Sequence, residues 1–290
     1  MDYNGFLILS DFDGTLSRNG MYMNHEEIEA INKFTSLGGK FGVATGRGLR
    51  DVQAIFQKAA LNAPAVLCNG AVIIDTKENK LIKDYPLQGN IKEIIDDIVE
   101  KFPKLVIQAA GISEHFTIYT GDCKDELLES FKQFLEIGVD AEKHSIDFIN
   151  SITNKFVQLQ EIHEPLYKIM AIGGANSILE LKLYLKNKYK NDDYIITSSA
   201  PFNVEFNAKE ASKGQAGAFI RSSYYKDEKL KVIALGDGEN DIDALDNADY
   251  SFVAAQASEM VKSHGDYILK PKKGVINQVL EFIHNGTLKK

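Results

Sequence analysis

Cysteine is scarce in this chain of 290 residues. Cys68 and Cys123 are the only two, and neither lies in a CxxC pair or a Cys/His cluster. That pattern argues against a zinc site and against a disulfide framework, and it points to a reducing, cytoplasmic setting. No block of lysine and arginine stands out, and the net charge is −8, so the basic footprint that nucleic acid calls for is missing. No apolar run approaches the ~20 residues of a membrane span. The first residues, MDYNGFLILS, hold an acid at position 2 and no cationic region, and read as a first strand rather than a signal peptide. Internal repeats and low-complexity tracts are absent as well. What is present is ordinary globular material, 44% hydrophobic and 26% charged, long enough for one large domain or two moderate ones.

The first third alternates strand and helix patterns. Phe6-Leu7-Ile8-Leu9 reads as a buried strand. Asn24 followed by Glu27 resembles a capping box, and Ile28, Ile31, Phe34 and Leu37 form one helical stripe. FGVAT (41–45) reads as a strand, Leu49, Val52, Ile55, Phe56 and Ala59 as a helix face, and AVLC (65–68) as a third strand, before a hairpin-like turn at Asn69-Gly70. This β-α-β-α-β order implies a parallel sheet with helices on its faces. The last third has the same style, with strands at 231–236 and 250–254, a short helix at 239–247 and a closing helix at 273–284. The middle holds its own helices, at 91–102, 125–138 and 177–189, with strand candidates at 104–109, 116–120, 167–172 and 194–198. Segment 144–163 carries no clear pattern. The expectation is an α/β core, 1–83 and 202–290, built from both chain ends, with a second α+β domain, 84–201, inserted into it.

Four islands of polar residues fall at or near strand ends, where open α/β sheets bind ligands. They are Asp11 and Asp13, the run Thr45-Gly46-Arg47, Lys213 at a helix start, and GDGENDIDAL with Asp237, Asn240 and Asp241. Each alone has an ordinary reading: a turn with an N-cap, a plain turn, a solvated lysine, an acidic loop. Together they form a coherent inventory. Two close carboxylates repel unless something positive lies between them. A hard divalent cation such as Mg²⁺ takes a few carboxylates, waters and a phosphate oxygen. Lys213 adds a second positive charge, Thr45 a hydroxyl with neighbouring N–H groups, and Asn240 an amide. Such a site suits a phosphoryl group, whose transfer needs charge neutralisation and positioning above all.

DFDGTL, TGR, the lysine of SKG and GDGENDIDAL resemble the four motifs of the haloacid dehalogenase-like (HAD) superfamily of phosphohydrolases. CNGAVI (68–73), the position of the insertion and KKGVINQVLEFI resemble its Cof-type branch with a type-II, subtype-B cap. FNAKEASKG, the segment before Lys213, departs from that branch in lacking a Pro-Gly stretch. The resemblance implies a Rossmann-like HAD core with a cap domain, and a Mg²⁺-dependent phosphatase acting on a small phosphorylated metabolite, a sugar phosphate foremost. It implies Asp11 as nucleophile and Asp13 as general acid and base. It assigns Thr45, Gly46, Lys213 and Asn240 to the phosphoryl oxygens, and Asp11, Asp13, Asp237 and Asp241 to the metal or its waters. Asp13 favours phosphatases and phosphomutases over dehalogenases, because an alkoxide leaving group needs a proton. A phosphomutase of the same fold and a non-catalytic phospho-aspartate switch stand as alternatives, and no membrane or nucleic-acid partner is expected.

Overall fold

Phe6–Ser10 is one of three inner strands of a five-stranded sheet whose order is Tyr267–Ile268, Tyr250–Val253, Lys231–Gly236, Phe6–Ser10, Lys40–Val43. All of its neighbouring strands run parallel. Buried on both faces, such strands read as continuous apolar runs, which is why FLIL and VIAL stand out. In this computed structural model residues 2–17, 23–56, 59–112, 114–134, 141–153, 156–189, 194–226, 228–271 and 274–289 are described. The chain divides into two compact units, Met1–Tyr85 with Glu210–Lys290, and Pro86–Lys209.

In the first unit the His25–Ser36 helix starts at Asn24, whose side chain accepts from the Glu27 N–H at 2.9 Å. Only that half of the expected capping box forms between these two residues. The Glu27 carboxylate accepts from the N–H groups of Val275 (2.6 Å) and Ile276 (2.9 Å), at the start of the closing helix Val275–His284. A carboxylate suits the positive end of a helix. The buried stripe therefore includes Glu27 with Ala30, Ile31 and Phe34, while Ile28 and Leu37 are only half-buried. A second helix spans Leu49–Phe56 with Val52 fully buried; the side chains of Ile55 and Phe56 lie outside the described residues.

The third strand departs from expectation. Ala65–Leu67 touches the parallel sheet through a bridge between Ala44 and Val66. It belongs, however, to a three-stranded antiparallel sheet with Val72–Asp75 and Lys80–Asp84. The chain reverses through Cys68, Asn69 and Gly70, whose φ values are 49°, 59° and 102°. Asparagine and glycine tolerate such angles far better than other residues.

The second unit is a five-stranded antiparallel sheet in the order His115–Thr120, Val106–Ala110, Lys168–Ile172, Asn203–Ala208, Tyr194–Thr197. Helices Ile91–Lys101 and Ala175–Lys188 bury Ile94, Ile98, Leu181 and Leu185 with Ile107, Ile169, Val204 and Phe206. A smaller cluster joins Val106, Ile172 and Phe202 to Cys123, Leu127 and Ile152. The unassigned segment 144–163 holds the end of the Ala141–Thr153 helix and a short turn of helix at Leu159–Glu161. The helix expected over 125–138 is Lys124–Phe134, its remainder lying outside the described residues. Asn203–Ala208, expected in the core, pairs on both edges with strands of this sheet. Its N–H and C=O groups have their partners here, so this unit extends to Lys209. No helix among the described residues is long and apolar enough to cross a membrane.

Candidate active site

Ser10 is in register with Leu235 on one side and with Val43 on the other. The residues leaving these three strand ends therefore start side by side, roughly one strand spacing of ~4.8 Å apart. Asp11 follows the first strand and its N–H donates to the Leu235 carbonyl at 2.9 Å. The Ala44 N–H donates to Ser10 at 2.8 Å and delivers Thr45; Asp237 follows Gly236. Sheet topology alone thus assembles three of the four islands.

Lys213 completes the group. It opens the Lys213–Phe219 helix, with Ser212 as N-cap accepting from the Gln215 N–H at 3.1 Å and donating its hydroxyl to Asp243. The Lys213 side chain is 1% exposed, and its ammonium donates to Asp11 Oδ1 and to Asp241 Oδ1, both at 2.6 Å. The other Asp241 oxygen accepts from the N–H groups of Asp237 and Gly238, each at 2.9 Å. Asp241 therefore ties the lysine to the loop that carries Asp237. Asp237 accepts the Thr15 hydroxyl at 3.0 Å.

Asp11, Asp237 and Asp241 can each bring one carboxylate oxygen within 4.8 Å of the others. Burial pushes the Asp11 carboxyl well above its ordinary range; Asp241, Asp237 and Asp13 add to the effect and Lys213 opposes it. Burial, then Asp241, pushes Asp237 up to about 7. Lys213 is driven up by Asp11 and Asp241 against the penalty of its own burial. Three acids around one cation remain one positive partner short, and an oxygen-rich set of this kind fits a hard divalent ion.

Asp13 stands apart from that set. Its two oxygens accept from Arg47, Oδ2 from Nε at 2.7 Å and Oδ1 from Nη2 at 2.6 Å. The guanidinium lies over the Phe12 ring, 4.9 Å from its centroid. Thr45 is fully buried, and its hydroxyl accepts from the Arg47 N–H at 3.2 Å. Gly46 lies between them. The Asn240 amide donates to Asn69 Oδ1 at 3.0 Å, and the Asn69 N–H donates to the Thr45 carbonyl at 3.0 Å. All nine residues singled out in the sequence thus lie at the carboxyl edge of one sheet, within one unit.

Two glycines set the packing. Gly14 has φ +82°, and a Cβ there would fall 2.1 Å from Asp237 Oδ2. Gly70 has φ +102°, and a Cβ would fall 2.2 Å from the Ser212 carbonyl oxygen, just before Lys213. Sequence reading missed Thr15, Asn69 and Asp243 as members of this network. Thr15 and Asp243 sit inside recognised motifs. Asn69 sits in the CNGAVI stretch, where it was read as half of an Asn-Gly turn and given no role in the site.

A parallel sheet carrying a lysine-held acid cluster at its carboxyl edge suits the handling of a phosphoryl group, and the relatives give the class, an enzyme of the phosphatase kind. The model of the haloacid dehalogenase-like hydrolases matches residues 8–282, and the chain belongs to that family. It is similar to Phosphatase YwpJ of Bacillus subtilis, 27% identical over 275 residues that cover 90% of this chain and 93% of that one. It is also similar to the 5-amino-6-(5-phospho-D-ribitylamino)uracil phosphatase YcsE of the same organism, 24% identical over 267 residues, 90% and 88% of the two chains. Among solved structures, a haloacid dehalogenase-like hydrolase from B. subtilis superposes with a TM-score of 0.74 at 25% identity, covering 96% and 98% of the chains. A HAD subclass IIB sugar phosphatase superposes at 0.72 and 18% identity, covering 98% and 100%, and at that identity shows the fold.

Proposed function

We propose that the protein is a Mg²⁺-dependent phosphatase that hydrolyses a small phosphorylated metabolite, a sugar phosphate foremost, through an aspartyl-phosphate on Asp11. The observation that carries this reading is the cluster of buried Asp11 and Asp241, both held by Lys213, with part-buried Asp237 beside them. Such crowded carboxyls take up protons unless a cation joins them. Asp11 and Asp237, with the Asp13 backbone, would hold Mg²⁺, while Asp241 fixes Lys213 and the Asp237 loop. When bound, the ion supplies charge neutralisation for the acids and the phosphoryl oxygens.

In the first step Asp11 attacks phosphorus with the carboxylate oxygen that Lys213 does not hold. An Oδ–P bond forms, the ester P–O bond breaks, and the leaving oxygen takes the proton of Asp13. In the second step Asp13 accepts a proton from water as that water attacks phosphorus. The Oδ–P bond breaks, inorganic phosphate leaves, and the Asp11 carboxylate is restored. The Thr45 hydroxyl, the Gly46 N–H, the Lys213 ammonium and the Asn240 amide hold the phosphoryl oxygens. The inserted unit acts as the cap and carries the specificity. The sugar-phosphate preference draws on the likeness to a subclass IIB sugar phosphatase and to a phosphoribityl-compound phosphatase.

Release of inorganic phosphate from a panel of phosphorylated metabolites tests the reading, with Asp11→Asn as control. Hydrolysis of one class, absent from the variant, is the expected result. Isomerised product without free phosphate would turn the assignment to a mutase. Turnover retained by Asp11→Asn would overturn the nucleophile.

A further inference from the structure

We propose that Arg47 is a positioning residue for proton transfer: it holds the Asp13 carboxyl in the orientation from which the leaving oxygen is protonated, and is not a phosphate-binding group. This rests on the reading of Asp13 as general acid. Asp13 is the most accessible acid of the site, its side chain 46% exposed, against 6% for Asp11 and 3% for Asp241. A carboxylate that exposed samples several rotamers unless something restrains it, and each unproductive rotamer lowers the rate of a step that needs one geometry.

Arg47 supplies the restraint. Its planar fork engages both Asp13 oxygens at 2.7 and 2.6 Å, which fixes the plane of the carboxyl as well as its place. The fork is itself held. The Arg47 N–H donates to the Thr45 hydroxyl at 3.2 Å, its carbonyl accepts from the Cys68 N–H at 2.9 Å, and its guanidinium lies on the ring of Phe12. Phe12 is fully buried and stands between the two acids. The floor under Arg47 is thus part of the turn that sets the spacing of Asp11 and Asp13. A lysine at this position would keep the charge but lose the two-point hold and the stacking.

The experiment measures the rate of phenol release in the first turnover, and the KM of that phase, for full-length protein on substituted phenyl phosphates, from p-nitrophenyl to unsubstituted phenyl phosphate. Leaving groups that depart readily as anions need no proton, and poor ones do. In that first turnover Asp13→Asn is expected to lose little on p-nitrophenyl phosphate and roughly 100-fold or more on phenyl phosphate, while its steady-state turnover falls on both because the second step also uses Asp13. Arg47→Gln is expected to follow the same first-turnover pattern with KM little changed, and Arg47→Lys to fall between it and the parent. In an Asp13→Asn background, Arg47→Gln should add no further loss. An equal loss on every leaving group with a raised KM, persisting in that background, would assign Arg47 to phosphate binding and overturn the proposal. If Asp13→Asn itself shows no dependence on the leaving group, the general-acid reading falls and the proposal with it. A dependence in Asp13→Asn that Arg47→Gln does not share leaves that reading standing and defeats the proposal alone.

Discussion

Each unit of this protein buries one lysine against carboxylates, and the two arrangements differ in charge balance. In the second unit Lys168 meets Glu205 at 3.0 Å, side chains 5% and 2% exposed, and Ser199 donates to the same carboxylate at 3.1 Å. In the ion pair the described residues form, one lysine meets one glutamate on neighbouring strands of the sheet. In the first unit Lys213 meets Asp11 and Asp241, and Asp237 lies within reach of both. Among the described residues, one cation faces three carboxyl groups. A buried pair that balances itself is a feature of architecture. A cluster that does not balance is of the kind that marks functional sites, and on the function proposed above a metal ion meets the imbalance.

The comparison can be broken in several places. The largest expected effect is on turnover: Asp11→Asn should lower phosphate release below about one-thousandth of the parent. Circular dichroism should show the fold unchanged. Because the substitution removes one of the crowded acids, its thermal midpoint without divalent ions should equal or exceed the parent's. A clear drop would mean that the cluster is self-sufficient.

Chelation is the next test. EDTA should silence phosphate release and Mg²⁺ restore it. Mg²⁺ at about 100 times its Kd should also stabilise the parent by ~2.7 kcal/mol, read as a shift in urea midpoint. Activity that survives exhaustive chelation would remove the metal from the account.

Lys168→Met should destabilise by about 3–5 kcal/mol, because Glu205 would be left buried without its partner. Replacing both, with Glu205→Leu added, should recover most of that loss in chemical denaturation. No such recovery would show that the pair is more than a balanced element of the sheet.

A smaller loss, about 1–3 kcal/mol, is expected from Gly70→Ala, which places a Cβ against the Ser212 carbonyl at a φ that alanine rarely adopts. Its activity should fall with its stability, since the strained contact abuts Lys213. Smallest is Glu27→Gln, about 1 kcal/mol, from weaker acceptors for Val275 and Ile276. That change is remote from the acids and should leave kcat untouched.

Much of this was legible in the chain itself. The alternation of apolar runs with helical stripes specified the parallel sheet, because strands buried on both faces must be apolar throughout. Asp11, Lys213 and Asp237 were legible because paired acids after a strand, a lysine at a helix start and a Gly-rich acidic loop rarely coincide in one chain. The misses have physical causes. Ala65–Leu67 is too short to reveal which sheet takes it, and a local turn at Cys68–Gly70 decides that. Asn203–Ala208 carries Asn, Glu and Asn on alternate positions and so lacks an apolar run. Glu27 was read as a local cap, but its carboxylate partners lie some 250 positions along the chain, where no pattern within a window can point.

The sequence by itself determined most of the elements, the family and the main acids and lysine of the site, since these depend on residue type and spacing. Only the tertiary structure decided how the inventory is connected: that Asp241 clamps Lys213, that Asp13 turns to Arg47 and that Asn69 reaches Asn240. Those pairings follow from strand order and loop geometry, which bring together residues far apart in the chain and fix which oxygen meets which donor.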